Sequence, residues 1–355
     1  MNFYSATAGV GDDLRVRRLK YPVADANVFL AGDIGGTKTN LALFSVRDGK
    51  LRQEQKETFP SQEYSGLVPV LQDFLRNNQK GIDRACFGIA GPIVEGKVKT
   101  TNLPWVVDSR EIEGAFKLKS VTLLNDLEAG AYGLFTLEPD ELFILNEGVS
   151  GRRGNKVLIA AGTGLGEATL FDDGGEYHPS ASEGGHGDFA PTDETQIDLL
   201  RYLIQKFGHV SYERVVSGPG IANIYDFFRD SGRFEEPDWL KQKIATDEDP
   251  SVIISQEGLA GSSAICVQTL ELFVSIYGAE AGNLALRGKS TGGVYIGGGI
   301  APKILDKVKD GEFMRAFLDK GRYRNFLSSV PVRVVLNAEA ALQGAAFYAA
   351  FRAHD

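Results

Sequence analysis

Cysteine is scarce in this chain: its 355 residues hold two, Cys86 and Cys266, each inside an apolar segment and neither with a second cysteine at metal-ligand spacing. A disulfide framework and a cysteine-ligated zinc centre are therefore set aside, and both thiols are expected as small core residues of a protein from a reducing compartment. Clustered positive charge is missing too. Lysine and arginine number 38 against 47 aspartates and glutamates, for a formal net charge of −9. The nearest thing to a basic block, Arg322-Tyr323-Arg324, reads as a solvated helix end or loop. A broad nucleic-acid-binding face needs grouped Lys and Arg to neutralise phosphates, so no nucleic-acid partner is expected. No run approaches the roughly 20 apolar residues of a membrane span, so no membrane partner is expected. Residues 1–27 lack the basic-then-apolar order of a secretory signal, and Asp12, Asp13 and Asp25 argue against an organelle transit peptide. A cytoplasmic protein with an N-terminal extension is the expectation. The rest of the composition, 43% apolar and 24% charged, is that of an ordinary globular chain long enough for two domains.

What the chain does have is glycine between strand-forming runs. Val28 to Phe44 reads VFLAGDIGGTKTNLALF: an apolar run ending in Asp33, a turn on Gly35, Gly36, Thr37 and Lys38, and a second strand-like run. Glycines in such a turn let backbone N–H groups approach phosphate oxygens, Thr37 adds a hydroxyl and Lys38 a positive charge. Asp33 repels phosphate; its natural partner is a hard cation such as Mg²⁺, held through a water shell. An ordinary tight hairpin with an acidic corner fits the same residues. A second hairpin weighs against that. Lys156 to Phe171, KVLIAAGTGLGEATLF, again runs strand, glycine turn, strand, with Gly162, Thr163, Gly164 and Gly166 in the turn. Two such units far apart suggest duplicated halves, each built on one sheet and facing a common cleft. Other glycine motifs fail: Gly288-Lys289-Ser290 lacks the earlier glycine of a P-loop, where Asn283 stands, and the Gly162 turn runs into a strand where a dinucleotide-binding turn enters a helix.

Between and after the hairpins, apolar spacing predicts a third strand over 51–58, a helix over 64–77 and a buried strand over 84–90. A helix capped by Asp108 or Ser109 is followed by an apolar run that stops at Asn125-Asp126. The carboxyl end of a buried strand is where open α/β sheets place ligands, although Asp126 also serves as a plain helix cap. Asn102, in KVKTTNLPW, is a secondary ligand-contact candidate or a turn residue. In Glu183-Gly184-Gly185-His186-Gly187-Asp188, flexible backbone lets Glu183 and His186 converge on one small ligand, and no further His or Cys set completes a metal site there. Helices are expected over 195–207, 221–228 and 258–286, with Ser211 capping a short helix that carries Glu213 and a solvated acidic excursion over 230–250. A strand over 292–296 runs into Gly297, Gly298 and Gly299, which can accept a flat adenosine group closely. A strand over 330–336 and a terminal helix over 338–351 complete the chain.

With these pieces in place the chain resembles the bacterial-type glucokinases of the actin-like sugar kinase superfamily, over nearly everything from Val28 onward. The resemblance rests on GDIGGT at Gly32 to Thr37, LLND at Leu123 to Asp126, GTGLG at Gly162 to Gly166, SEGGH at Ser182 to His186, HVSYERVVSGPG from His209 and GGVYIGGGI at Gly292 to Ile300. It implies a two-domain α/β protein of the actin-like (ribonuclease H-like) ATPase fold with a cleft between domains. The small domain would comprise 28–136 with 337–355, and the large one 137–336. It implies transfer of a phosphoryl group from ATP, with Mg²⁺, to the 6-hydroxyl of glucose, Asp126 accepting that hydroxyl's proton. Asn125, Glu183, His186 and Glu213 would contact the sugar with Asn102 as the secondary candidate. Gly32, Asp33, Ile34, Gly35, Gly36 and Thr37, and Gly162, Thr163 and Gly164, would form the phosphate loops, Asp33 acting through the metal. Gly297, Gly298 and Gly299 would line the adenosine side, and the assembly would be a homodimer. The cysteines that follow the sugar-binding histidine in a related branch are absent after His186, so no structural zinc is expected. The alternatives are a kinase for another hexose (mannose, fructose or an N-acetylated sugar) and a sugar-sensing regulator without turnover, against which intact Asp33 and Asp126 argue.

Overall fold

The computed structural model describes residues 28–76, 81–149, 151–246 and 249–353; the N-terminal extension expected at 1–27 lies outside them. The chain divides into two compact units. One holds residues up to Glu141, Pro179–Ala181 and the chain from Asn337; the other holds Leu142–His178 and Ser182–Leu336.

The first unit is built on β1 (Val28–Ile34), β2 (Lys38–Arg47), β3 (Lys50–Pro60), β4 (Ile82–Ile89), a small ribbon of β5 (Ile93–Val94), β6 (Lys97–Lys99) and β7 (Val106–Asp108), and β8 (Ser120–Asn125). The main sheet has the order β3-β2-β1-β4-β8. Antiparallel pairing joins β1 to β2, and parallel pairing joins β1 to β4 and β4 to β8. As a central strand covered on both faces, β1 is apolar almost throughout, whereas the edge strand β3, LRQEQKE at its heart, is mostly exposed and charged. Successive side chains alternate: Leu30 joins a core with Leu71, Phe74 and Phe87 under the helix Leu67–Phe74, while Phe29 and Ala31 face Tyr132, Ala345 and Phe347. That second face is covered by the helices Asp126–Gly133 and Ala340–Phe351.

The second unit repeats the plan with β9 (Leu142–Asn146), β10 (Lys156–Ala161), β11 (Leu165–Asp172), β12 (Tyr177–Ser182), β13 (Gly293–Gly297) and β14 (Val332–Val335), in the order β12-β11-β10-β13-β14-β9. Here β10 runs antiparallel to β11 and parallel to β13, and β13 parallel to β14, the same succession as in the first sheet. The paired glycine hairpins thus open two sheets of one topology. The core of this unit gathers Val157, Ile159, Val294 and Ile296 against Phe273, Ile276 and Tyr277 of the helix Ala264–Gly288. That helix is the one among the described residues long and apolar enough to cross a membrane, and 78% of its apolar window is buried inside the protein.

Three expectations change. The helix expected over 258–286 is two helices, Pro250–Ala260 and Ala264–Gly288, because Gly261 takes a left-handed conformation at φ 68° and ends the first. The acidic excursion over 230–250 contains the helix Asp238–Ile244, anchored by fully buried Leu240. Ser211 makes no side-chain cap to the short 3₁₀ turn Tyr212–Arg214.

Candidate active site

In the first unit the turn after β1 is closed by the Gly35 N–H donating to the Lys38 carbonyl at 2.9 Å. Ser61, fully buried, pins it from β3's far end. Its N–H donates to the Thr37 carbonyl at 2.9 Å, its hydroxyl donates to the Gly35 carbonyl at 2.8 Å, and it accepts from the Thr39 hydroxyl at 2.9 Å. Gly36 has no room for a side chain, since a Cβ there would stand 2.6 Å from the Cβ of Asn102. The loop that carries Asn102 is closed by Thr100, whose hydroxyl donates to the Leu103 carbonyl at 2.8 Å. The phosphate-turn candidate and the secondary sugar candidate are therefore neighbours.

Asp33 stands at the carboxyl end of β1, level with Gly88 of β4. Burial holds its carboxyl above the usual carboxylate range, opposed by the amide of Asn40, which donates at 3.4 Å, and by the charge of Lys56. Such a carboxylate gains from a cation placed before it. Level with Ile89 of the same β4 lies Asn125, the last residue of β8, and Asp126 opens the following helix. The Leu127 N–H is shared by Asn125 Oδ1 at 2.9 Å and Asp126 Oδ1 at 3.0 Å, which orients both side chains at the strand's end. Asp33 and Asn125 thus lie at the same end of one sheet, on strands separated only by β4, with Asp126 at the start of the helix that follows β8.

In the second unit the turn Gly162–Gly164 is closed by the Gly162 N–H donating to the Gly164 carbonyl at 2.8 Å. Glu213 is tied to it: its Oε2 accepts from the Leu165 N–H at 3.0 Å. Its Oε1 lies 3.9 Å from His186 Nδ1, and His186 Nε2 lies 3.9 Å from Glu183 Oε2. At that distance neither contact is a hydrogen bond, so the three side chains line up without satisfying one another. Glu183 and His186 are exposed. The structure brings Glu183, His186 and Glu213 together and sets them beside the second glycine turn, a link that sequence spacing does not contain. Gly297, Gly298 and Gly299 lie at the end of β13; Gly298, at φ 79°, packs so closely that a Cβ would collide with the Ala161 carbonyl, whereas a Cβ at Gly299 would meet open space. Gly298 thus serves packing, and Gly299 offers the open face.

Two further contributors were absent from the sequence-based set. Ser61 is one, and no local pattern marks it. The other is Gly218, whose N–H donates to the Gly162 carbonyl at 2.8 Å from the first turn of the helix Gly218–Asp230. That helix, expected from 221, starts three residues earlier because Ser217 caps it through the Gly220 N–H at 3.0 Å. The proline at Pro219, suited to a first helical turn, was the available signal.

The glucokinase family model matches residues 30–352. The chain belongs to the glucokinase family. It is 41% identical over 338 residues to a glucokinase of Trichormus variabilis, covering 91% of this chain and 99% of the relative. A glucokinase of Synechocystis is 40% identical over 346 residues, covering 91% and 98%. Among solved structures, a glucokinase from an Antarctic psychrotroph superposes with a TM-score of 0.79 at 30% identity, covering 91% of this chain and 98% of the other. The chain is an enzyme with the actin-like ATPase fold, and its two sheets repeat one hairpin-plus-parallel-strand topology.

Proposed function

We propose that this glucokinase-family enzyme transfers the γ-phosphoryl group of ATP to the 6-hydroxyl of glucose, with Asp126 as the general base. The observation that carries the reading is Asp126 at the carboxyl end of β8, oriented with Asn125 by the Leu127 N–H, in a chain matched by the family over residues 30–352. A neutral primary alcohol is a poor nucleophile, and the Asp126 carboxylate takes its proton as attack develops. Asn125 has its Oδ1 on the Leu127 N–H, so its amide nitrogen is the atom offered to a sugar hydroxyl. Glu183, His186 and the Oε1 side of Glu213 bind further hydroxyls, with Asn102 beside the first turn. The glycine turns Gly32 to Thr37 and Gly162 to Gly164 orient the phosphates, and Gly297 to Gly299 admit the adenosine, with Gly299 as the open position.

Asp33 fits a Mg²⁺ role, because a carboxylate penalised by burial favours a cation held through water. Among the described residues no three His, Cys, Asp or Glu side chains gather as a ligand set, which suits an ion bound mainly by phosphate and water. When bound, Mg²⁺ neutralises phosphate charge.

The same reading takes 28–136 with 337–355 and 137–336 as two domains, the chain as a homodimer and its setting as the cytoplasm. Cys86 and Cys266, both free and buried, suit a reducing compartment. Light scattering at twice the chain mass tests the dimer. For the reaction, direct measurement of ADP release with glucose, with mannose, fructose and N-acetylated sugars, and with water alone is decisive. Glucose-dependent release with the highest kcat/KM for glucose is expected; equal release in water, or a preferred sugar other than glucose, overturns the assignment.

A further inference from the structure

We propose that Glu167 is a positioning residue for sugar recognition, the buried anchor on which the turn carrying Glu183 and His186 is built. The inference rests on the reading that those two residues contact the sugar. Glu167 lies on β11 just beyond the second glycine turn and is 1% exposed. Across from it the helix Ala264–Gly288 contributes Glu280, fully buried, and Arg287, which ion-pairs with Glu280 and lies 3.3 Å from Glu167 Oε2. Asn283, on the same helix, donates to Glu280 Oε2 at 2.9 Å and approaches the Tyr212 hydroxyl at 3.0 Å.

Both parts of the sugar set rest on this group. The Ser182 hydroxyl donates to the Glu167 carbonyl at 3.2 Å and accepts from the Gly184 N–H at 3.3 Å. A Cβ at Gly184 would collide with the Glu167 carboxyl, so the Glu183–His186 turn lies directly on that side chain. On the other side Tyr212 immediately precedes Glu213, and its N–H donates to the Gly187 carbonyl at 2.9 Å.

The charges around Glu167 explain how the anchor works. Tyr277, Glu280 and Arg287 face it from the long helix, while Tyr212 from the 3₁₀ turn and Lys320 from beyond the helix Glu312–Leu318 act on Glu280. Two carboxyls share one guanidinium, and Glu167 Oε1 has no hydrogen-bond partner. Burial, then the charge of Glu280, pushes the Glu167 carboxyl up to about 8 against the pull of Arg287. At neutral pH the network therefore keeps a proton, and the sugar turn sits on a neutral carboxyl. A second buried negative charge would instead have to share the guanidinium already paired with Glu280.

The test is the pH profile of both Michaelis constants, read by direct ADP detection with a melting curve at each pH. In the wild type the glucose KM rises above about pH 8 while the ATP KM stays flat. Glu167→Gln, which keeps the neutral shape, holds the glucose KM within about threefold of wild type at pH 7 and removes the alkaline rise. Glu167→Ala raises the glucose KM about tenfold or more at pH 7 with little change for ATP; if it does not fold, the Gln profile decides. A flat wild-type glucose KM to about pH 9, or a Gln variant that repeats the wild-type rise, overturns the proposal. His186→Ala separates the two levels. A raised glucose KM there with silent Glu167 variants refutes the anchor alone, and silence in both refutes the sugar assignment beneath it.

Discussion

Asp33 and Asp126 are two carboxylates at one end of one sheet, and their surroundings assign them different work. Asp33 is half-buried, its carboxyl held above the ordinary range by burial and only partly relieved by Asn40 and Lys56, so it has most to gain from a cation. Asp126 opens a helix, and its carboxyl is oriented by the backbone beside it. Asp126→Asn keeps the shape and the helix start but cannot accept a proton. We expect kcat to fall by about 10²–10⁴-fold, with glucose binding measured by calorimetry nearly unchanged; near-normal turnover rules out the base. Asp33→Asn acts differently. It shifts the magnesium dependence of the rate to higher concentration and lowers kcat/KM for Mg-ATP while leaving glucose binding alone. Superposable magnesium titrations of the variant and wild type would remove Asp33 from the metal side.

At the scale of elements, each glycine turn works because something distant holds it. Ser61→Ala strips the Gly35 carbonyl and Thr39 of their partner. It should cost about 1 kcal/mol in denaturant unfolding and raise the ATP KM more than the glucose KM. The helix pair behind the first sheet is held by close contact: a Cβ at Gly344 would fall on the Ala129 carbonyl. Gly344→Ala should therefore lose about 1–3 kcal/mol without changing either KM selectively. These supports mark the limit of what is legible in the chain. The strand-turn-strand units around Asp33 and Gly162, and the strand ending at Asn125, are local and apolar, so spacing alone exposes them. The edge strands Leu142–Asn146 and Tyr177–Ser182 are largely half-exposed, with little apolar contrast to read. Ser61 beneath Gly35, and Glu280 against Glu167, join residues that only the folded sheets bring together, and no local pattern announces such pairs.

For the whole molecule these groups combine into a stability that depends on pH in two opposite senses. Asp198, bound by Arg201 and Arg233, Asp230 by Arg229, Glu257 by Lys243 and Glu312 by Arg315 all have carboxyls held below their ordinary range. Each favours folding above its unfolded pKa and loses that contribution as pH falls through the lower folded value. Most are solvent-screened, so each is a small contributor. Glu167 has the opposite sign. Its folded carboxyl titrates near 8 against an ordinary value of 4.5. The folded state therefore binds the extra proton between those values, and the contribution is whole below the unfolded pKa and gone above the folded one. Asp33 and Glu128, also raised by burial, add to the same slope. The growing net negative charge of an acidic chain pushes the same way. The apparent Tm should consequently peak in mildly acidic buffer, fall gradually toward pH 8 and drop again in strong acid. Glu167→Gln carries no titrating group at that position, so its Tm should decline less between about pH 5 and 8 while its acid limb follows wild type. Scanning calorimetry of both proteins across that range checks the sign directly, and parallel curves would mean that Glu167 is ionised in the folded protein throughout.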